Sequence, residues 1–201
     1  MTADEQKRTE IFEAEAARLT EDGYKCKDIT TTALTANVAG TLLGIVAAAP
    51  LCVLFCCLFG INETYPHPLI YFGVIIVSIV VHELIHGLTW SLFTKHGFKS
   101  VAFGVIWKYL TPYCSCKEAL GRGQYILGGI MPGLVLGIIP QVTACFTGSF
   151  LLELYGAFMT ICAGGDLMIF IMILRDKKCG DEYYLDHPTK IGLLKLYKEE
   201  N

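Results

Sequence analysis

Residues Pro68–Phe93 read PLIYFGVIIVSIVVHELIHGLTWSLF, and Pro68–Val81 carries no charged residue. About 20 apolar residues in a helix cross the roughly 30 Å hydrocarbon core of a bilayer, so this stretch is long enough to span. Its second half breaks the apolar pattern: His82, Glu83 and His86 fall within five positions. A charged side chain at the centre of a span costs about 2.5–3.5 kcal/mol on insertion scales. Such residues therefore need a partner or a cavity, and intramembrane ionisable groups mark functional sites.

Three more runs of similar length flank this one: Ala33–Gly60 before it, Tyr125–Phe146 and Phe150–Leu174 after it. The third is interrupted by glycines, Pro132 and Pro140. All 16 Lys and Arg fall in three segments: five before the first span, five between the second and third, and six after the fourth. Positive charge favours the cytosolic side, and four spans place all three segments there. The expected fold is an all-α membrane protein with about four transmembrane helices. Residues 1–32 are expected to form a cytosolic N-terminal segment, 33–174 a four-span membrane domain, and 175–201 a cytosolic C-terminal tail. The expected setting is the plasma membrane, with both termini cytosolic.

Between the second and third spans, Val101–Leu110 is apolar and β-prone but too short to cross as a helix. A short β-hairpin or re-entrant loop is expected there. Composition agrees with a bilayer partner: 53% of the 201 residues are hydrophobic and 17% charged, against about 25% charged in soluble domains. The net charge of -3 leaves no basic footprint for nucleic acid. The polar start lacks the basic-then-apolar pattern of a signal peptide. Asp4–Leu19 is compatible with a helix. Nine cysteines, most of them in apolar runs, give no disulfide framework. Asn62-Glu63-Thr64 matches a glycosylation sequon close to the membrane.

On a helix, His82 and His86 lie one turn apart and face the same way, so both imidazoles reach one Zn²⁺ at about 2.0–2.1 Å. Glu83 beside them is placed to take a proton from water, the H-E-x-x-H arrangement of zinc proteases. A catalytic zinc usually has three protein ligands. Leu92 occupies the place where a metzincin has its third His, His96 is too late, and no Glu lies between Glu83 and Glu118. Asp166 remains, deep in the fourth span. His86 lies nine residues before Lys95, and Asp166 nine before Arg175. At 1.5 Å per residue, both are about 13 Å inside their first cytosolic charge. Gly164 and Gly165 allow close backbone approach. Asp166 also reads as an isolated buried acid or a proton-relay group. Tyr113, Cys114, Cys116 and Glu118 could return to the mouth of the site. Cys114 and Cys116 read as packing residues or as a small metal site of their own. Asp186 and His187 precede Pro188 and read as a turn, or, for His187, as a substrate or oxyanion contact.

A metal motif in one span and an Asp in a later one resembles the site-2 protease group of intramembrane metalloproteases. The chain is more closely similar to a family of small membrane proteins described as putative zincin peptidases. That resemblance rests on His82–Gly87, Pro112–Glu118, Gly165-Asp166 and Asp186–Gly192. Leu167 departs from the site-2 pattern, in which Gly follows the Asp. The resemblance and the residues together imply a zinc-dependent membrane-embedded endopeptidase. Glu83 would be catalytic, His82, His86 and Asp166 would hold Zn²⁺, and Tyr113, Glu118 and His187 would contact a peptide or membrane-protein substrate. A non-catalytic metal-binding membrane protein and a small ion-coupled transporter are the alternatives.

Overall fold

A computed structural model describes residues 3–61, 67–106 and 111–199. Helix α1 (Ala3–Glu21) leads into strand β1 (Lys25–Thr31). Helix α2 (Ala33–Phe59) starts where the Thr32 hydroxyl accepts from the Thr35 amide, and it stops at Gly60, whose φ of 72° suits glycine. Helix α3 (Pro68–Ser91) opens with a proline at its first position, where no intrahelical N–H is needed. The third long apolar helix, Arg122–Thr147, is composite. It comprises α4 (Arg122–Pro132), a π-helical segment (Gly133–Ile138) and α5 (Ile139–Thr147). The fourth is a pair, α6 (Phe150–Cys162) and α7 (Gly164–Arg175), bent by 48° around Ala163. The apolar run Phe150–Leu174 is thus two helices rather than one.

Among the described residues, three helices are long and apolar enough to cross a membrane, or four with the bent pair counted as one span. Their outward side chains, among them Leu42, Val46, Val53, Val77 and Val80, are exposed. An apolar surface of that extent is what lipid solvates. Glycines let the helices approach: a Cβ on Gly44 would lie 2.6 Å from the Ile161 carbonyl oxygen, and one on Gly40 3.0 Å from the Gly165 nitrogen. Gly164, where a Cβ would lie 2.0 Å from the Gly40 carbonyl oxygen, therefore serves the contact of α7 with α2, whereas a Cβ on Gly165 would meet nothing within 4 Å.

Strands β2 (Val101–Ile106) and β3 (Thr111–Cys116) form the hairpin expected between the second and third apolar helices. Its tip, including Trp107–Leu110, lies outside the described residues, as does the Asn62-Glu63-Thr64 sequon. A second sheet corrects the expectation that the rest of the chain is all-α. The second sheet runs β1-β6-β5-β4, all antiparallel, with β4 at Leu120–Gly121, β5 at Asp181–Asp186 and β6 at Ile191–Lys198. It joins the N-terminal segment to the C-terminal tail, with Asp28 opposite Leu194. Strand β1, KCKDITT, has no buried residue, so its pairing partner far along the chain is not written in it.

This sheet lies between α1 and the ends of the spanning helices. Leu185, Leu194 and Leu196 pack on Leu19 and Phe12 of α1. On the other face, Tyr184 and Leu193 join Trp90, Tyr125 and Ile173. Buried Lys195 pairs with Asp176 at 2.7 Å and Glu182 at 2.8 Å, and Arg122 bonds Glu182 and the Ile173 carbonyl. A buried charge is tolerable only with such partners.

Candidate metal centre

The 3.6-residue period of α3 puts His82 and His86 on one buried face. From α7, Asp166 reaches between them. His82 Nε2 is 3.0 Å from Asp166 Oδ2, His86 Nε2 is 3.4 Å from Asp166 Oδ1, and the two Nε2 atoms are 3.2 Å apart. Ligand atoms about 2.0–2.1 Å from a tetrahedral zinc stand about 3.3–3.4 Å from one another, and one ligand atom from each of the three residues, all within 4.8 Å of one another, can form a donor triangle of that kind. Among the described residues, this is the one group of three or more His, Cys, Asp or Glu able to hold a metal ion.

The chemistry of His86 also suits a cation. Its Nδ1 lies 2.8 Å from the Gly128 carbonyl oxygen. A carbonyl only accepts, so Nδ1 carries the proton and the lone pair of a neutral imidazole resides on Nε2. That lone pair faces a carboxylate oxygen and a second imidazole nitrogen, an arrangement a divalent ion satisfies. The Gly128 carbonyl is available because Pro132, four residues later, has no N–H to donate to it. The indole of Trp90 stacks on His86 with ring centroids 5.1 Å apart and donates to the Tyr125 carbonyl at 3.2 Å. A Cβ on Gly128 would collide with that indole. Two features of α4, a freed carbonyl and an absent side chain, thus fix one imidazole.

Glu83 lies next to the trio, and the backbone of Cys114 on β3 is within hydrogen-bonding reach of its carboxylate. The Cys116 amide, two residues on and pointing the same way, donates to Asp186 at 2.7 Å. Asp186 also accepts from the Tyr125 hydroxyl. Burial pushes the Asp186 carboxyl above its ordinary range, against the lowering effect of those two donors. Burial likewise pushes the Cys114 thiol up, and that of Cys116 to about 12. Neither thiol belongs to a group of three or more potential metal ligands among the described residues.

The weaker candidates have other contacts. Tyr113 carries the Arg8 guanidinium over its ring, 4.7 Å from the centroid. Glu118 closes the turn after α3, bonding the amides of Lys95 and His96, the His96 ring and the Ser100 hydroxyl. Burial raises its carboxyl, but those donors outweigh it and hold it at about 2. His187 stands in the β5–β6 turn, where its Nδ1 accepts from the amides of Thr189 and Lys190 and its ring faces Phe12. None of the three belongs to the trio. Gly128, Trp90, Tyr125 and Asp186 escaped sequence reasoning as parts of the site. Of these, Trp90 had a signal, one helical turn beyond His86.

No curated protein and no solved structure matches the chain. A family model described as Putative zincin peptidase matches residues 75–180. The match covers more than half of the 201 residues and includes His82, Glu83, His86 and Asp166. On that match, and with the donor triangle its residues form, the chain belongs to the Putative zincin peptidase family.

Proposed function

We propose that this protein is a zinc-dependent endopeptidase embedded in a membrane, cutting peptide bonds within or near the bilayer. The convergence of His82, His86 and Asp166 from two helices, with Glu83 alongside, is the observation that carries this reading. His82, His86 and Asp166 would hold the ion. Zinc, when bound, supplies a Lewis acid that lowers the pKa of water towards about 7 and polarises a carbonyl. Glu83 takes the proton of the attacking water and passes it to the departing amine. The Cys114 backbone keeps its carboxylate aimed. His86 is held in one tautomer by Gly128, and Trp90 shields its ring.

A peptide bond inside a helix is hidden by its own hydrogen bonds, so a substrate must be extended when cut. The hairpin of β2 and β3, packed on α3, offers strand edges to such a segment. The distribution of Lys and Arg favours a cytosolic position for both termini and for the sheet that joins them. Water would then reach the site from that side.

The test is cleavage of membrane-derived peptides by the full chain purified in detergent, together with its zinc content. We expect about one zinc per chain, lost in His86→Ala. Glu83→Gln should keep the zinc and lose cleavage by about 10²–10⁴-fold, the usual contribution of a general base. Zinc binding with cleavage indifferent to Glu83 would leave a non-catalytic metal protein. No metal, with proton-coupled flux across vesicles, would leave a transporter.

A further inference from the structure

Gly129 follows the residue whose carbonyl holds His86, yet packing does not demand a glycine there. A Cβ on Gly128 would strike Trp90, whereas a Cβ on Gly129 would meet nothing within 4 Å. Glycine in a helix interior costs roughly 1 kcal/mol relative to alanine, so the open position calls for another reason. In front of it lies a cavity of about 250 Å³ between α2, the π-helical segment and the α6–α7 bend. Ala47, Gly133, Leu134 and Ala163 line it with Gly129, and Asp166 of the metal trio forms part of its wall. The other polar lining residue, Thr160, donates its hydroxyl to Gln141 Oε1 at 2.9 Å.

We propose that this cavity is a side-chain pocket of the candidate site. It receives one apolar side chain of the peptide substrate, beside the bond to be cut, and Gly129 sets the size admitted. The proposal rests on the hydrolase reading above. Three observations select this occupant. The apolar walls end at a carboxylate of the donor triangle, so a group seated here lies next to the reacting atoms. The volume is below the roughly 300–1,000 Å³ of pockets that enclose whole small ligands, which fits a side chain. Leu134, on its lining, is 41% exposed on the outer surface of the helices, so an extended segment can enter laterally from lipid. The wide place exists because α6 and α7 bend away from each other at Ala163 and because positions 129 and 133 lack side chains.

The test uses the full chain in detergent and synthetic peptides carrying Ala, Val, Leu or Phe on either side of the cleaved bond. For the native chain, kcat/KM of the Leu peptide should exceed that of the Ala peptide by about tenfold or more, the scale of discrimination in apolar pockets. Gly129→Leu should keep its zinc, still cleave the Ala peptide, and bring the Leu-to-Ala ratio to about one or below. An unchanged ratio overturns the pocket while leaving the hydrolase standing. Loss of Glu83-dependent cleavage in the native chain removes both. A second measurement does not need turnover. Peptides bearing photo-leucine, bound to the Glu83→Gln chain, should crosslink to residues 129–134 and 163–167. Crosslinks elsewhere overturn the proposal. So does a photoactivatable phospholipid that labels these residues and is not displaced by the peptide.

Discussion

Gly128 does two things at once: its carbonyl holds His86, and its lack of a side chain admits the Trp90 indole. The first depends on Pro132, which leaves that carbonyl without an intrahelical donor. Pro132→Ala should restore a competing N–H and loosen the imidazole. Outer hydrogen bonds to metal ligands are typically worth 10–100-fold in metal affinity. A drop of about that size is expected when the variant competes with a zinc chelator, and an unchanged affinity would refute this role for the proline. Gly128→Ala should be worse, because the indole has to move and the ring that stacks on His86 moves with it. Near-native tryptophan fluorescence and zinc content in that variant would count against the packing argument.

At the scale of elements, the position of Asp166 depends on how closely α7 approaches α2. Gly40 on one side and Gly164 on the other leave little room for side chains: a Cβ on Gly164 would lie 2.0 Å from the Gly40 carbonyl oxygen. Gly40→Val should therefore push the helices apart, at a cost of about 1–3 kcal/mol for overpacking. It should also draw Asp166 from the imidazoles, so the thermal midpoint in detergent and the zinc content fall together. A lower midpoint with full zinc would separate the two. The turn after α3 has its own lock in Glu118. Its carboxyl is held at about 2, below its ordinary value near 4.5. A depressed acid stabilises the fold above its unfolded pKa, and that stability disappears as pH falls through the folded one. Unfolding of the native chain should therefore become easier as pH drops from about 4.5 towards 2, and Glu118→Gln should be less stable at neutral pH and lose less on acidification. Parallel pH profiles for the two proteins would exclude Glu118 as a contributor.

Across the whole molecule, a four-stranded sheet built from both ends of the chain lies against one end of the long apolar helices. Asp186 links the two parts, accepting from the Tyr125 hydroxyl of α4 and the Cys116 amide of β3. Asp186→Ala would strand those donors in a buried place, at a cost of about 1–3 kcal/mol. The expected result is earlier thermal unfolding, with a double-mutant cycle against Tyr125→Phe showing coupling. Additive effects would mean that the hydrogen bond does not join the two parts. Lys195, bonded to Asp176 and Glu182, makes a second tie between the sheet and the end of α7.

The sequence by itself determined the spans and the face shared by His82 and His86, because hydrocarbon thickness and the 3.6-residue turn act on local stretches of chain. Counting nine residues back from each first basic residue also singled out Asp166, since depth in a membrane is one coordinate that a sequence does carry. The tertiary structure alone decided what surrounds the trio. Strand β1 pairs with a segment 160 or more residues away, and such pairing leaves no periodic trace in a short charged strand. The partner of His86 is a backbone oxygen, which every residue possesses. The space in front of Gly129 exists only because three helices and a bend fail to fill it, and a cavity has no residues of its own to read.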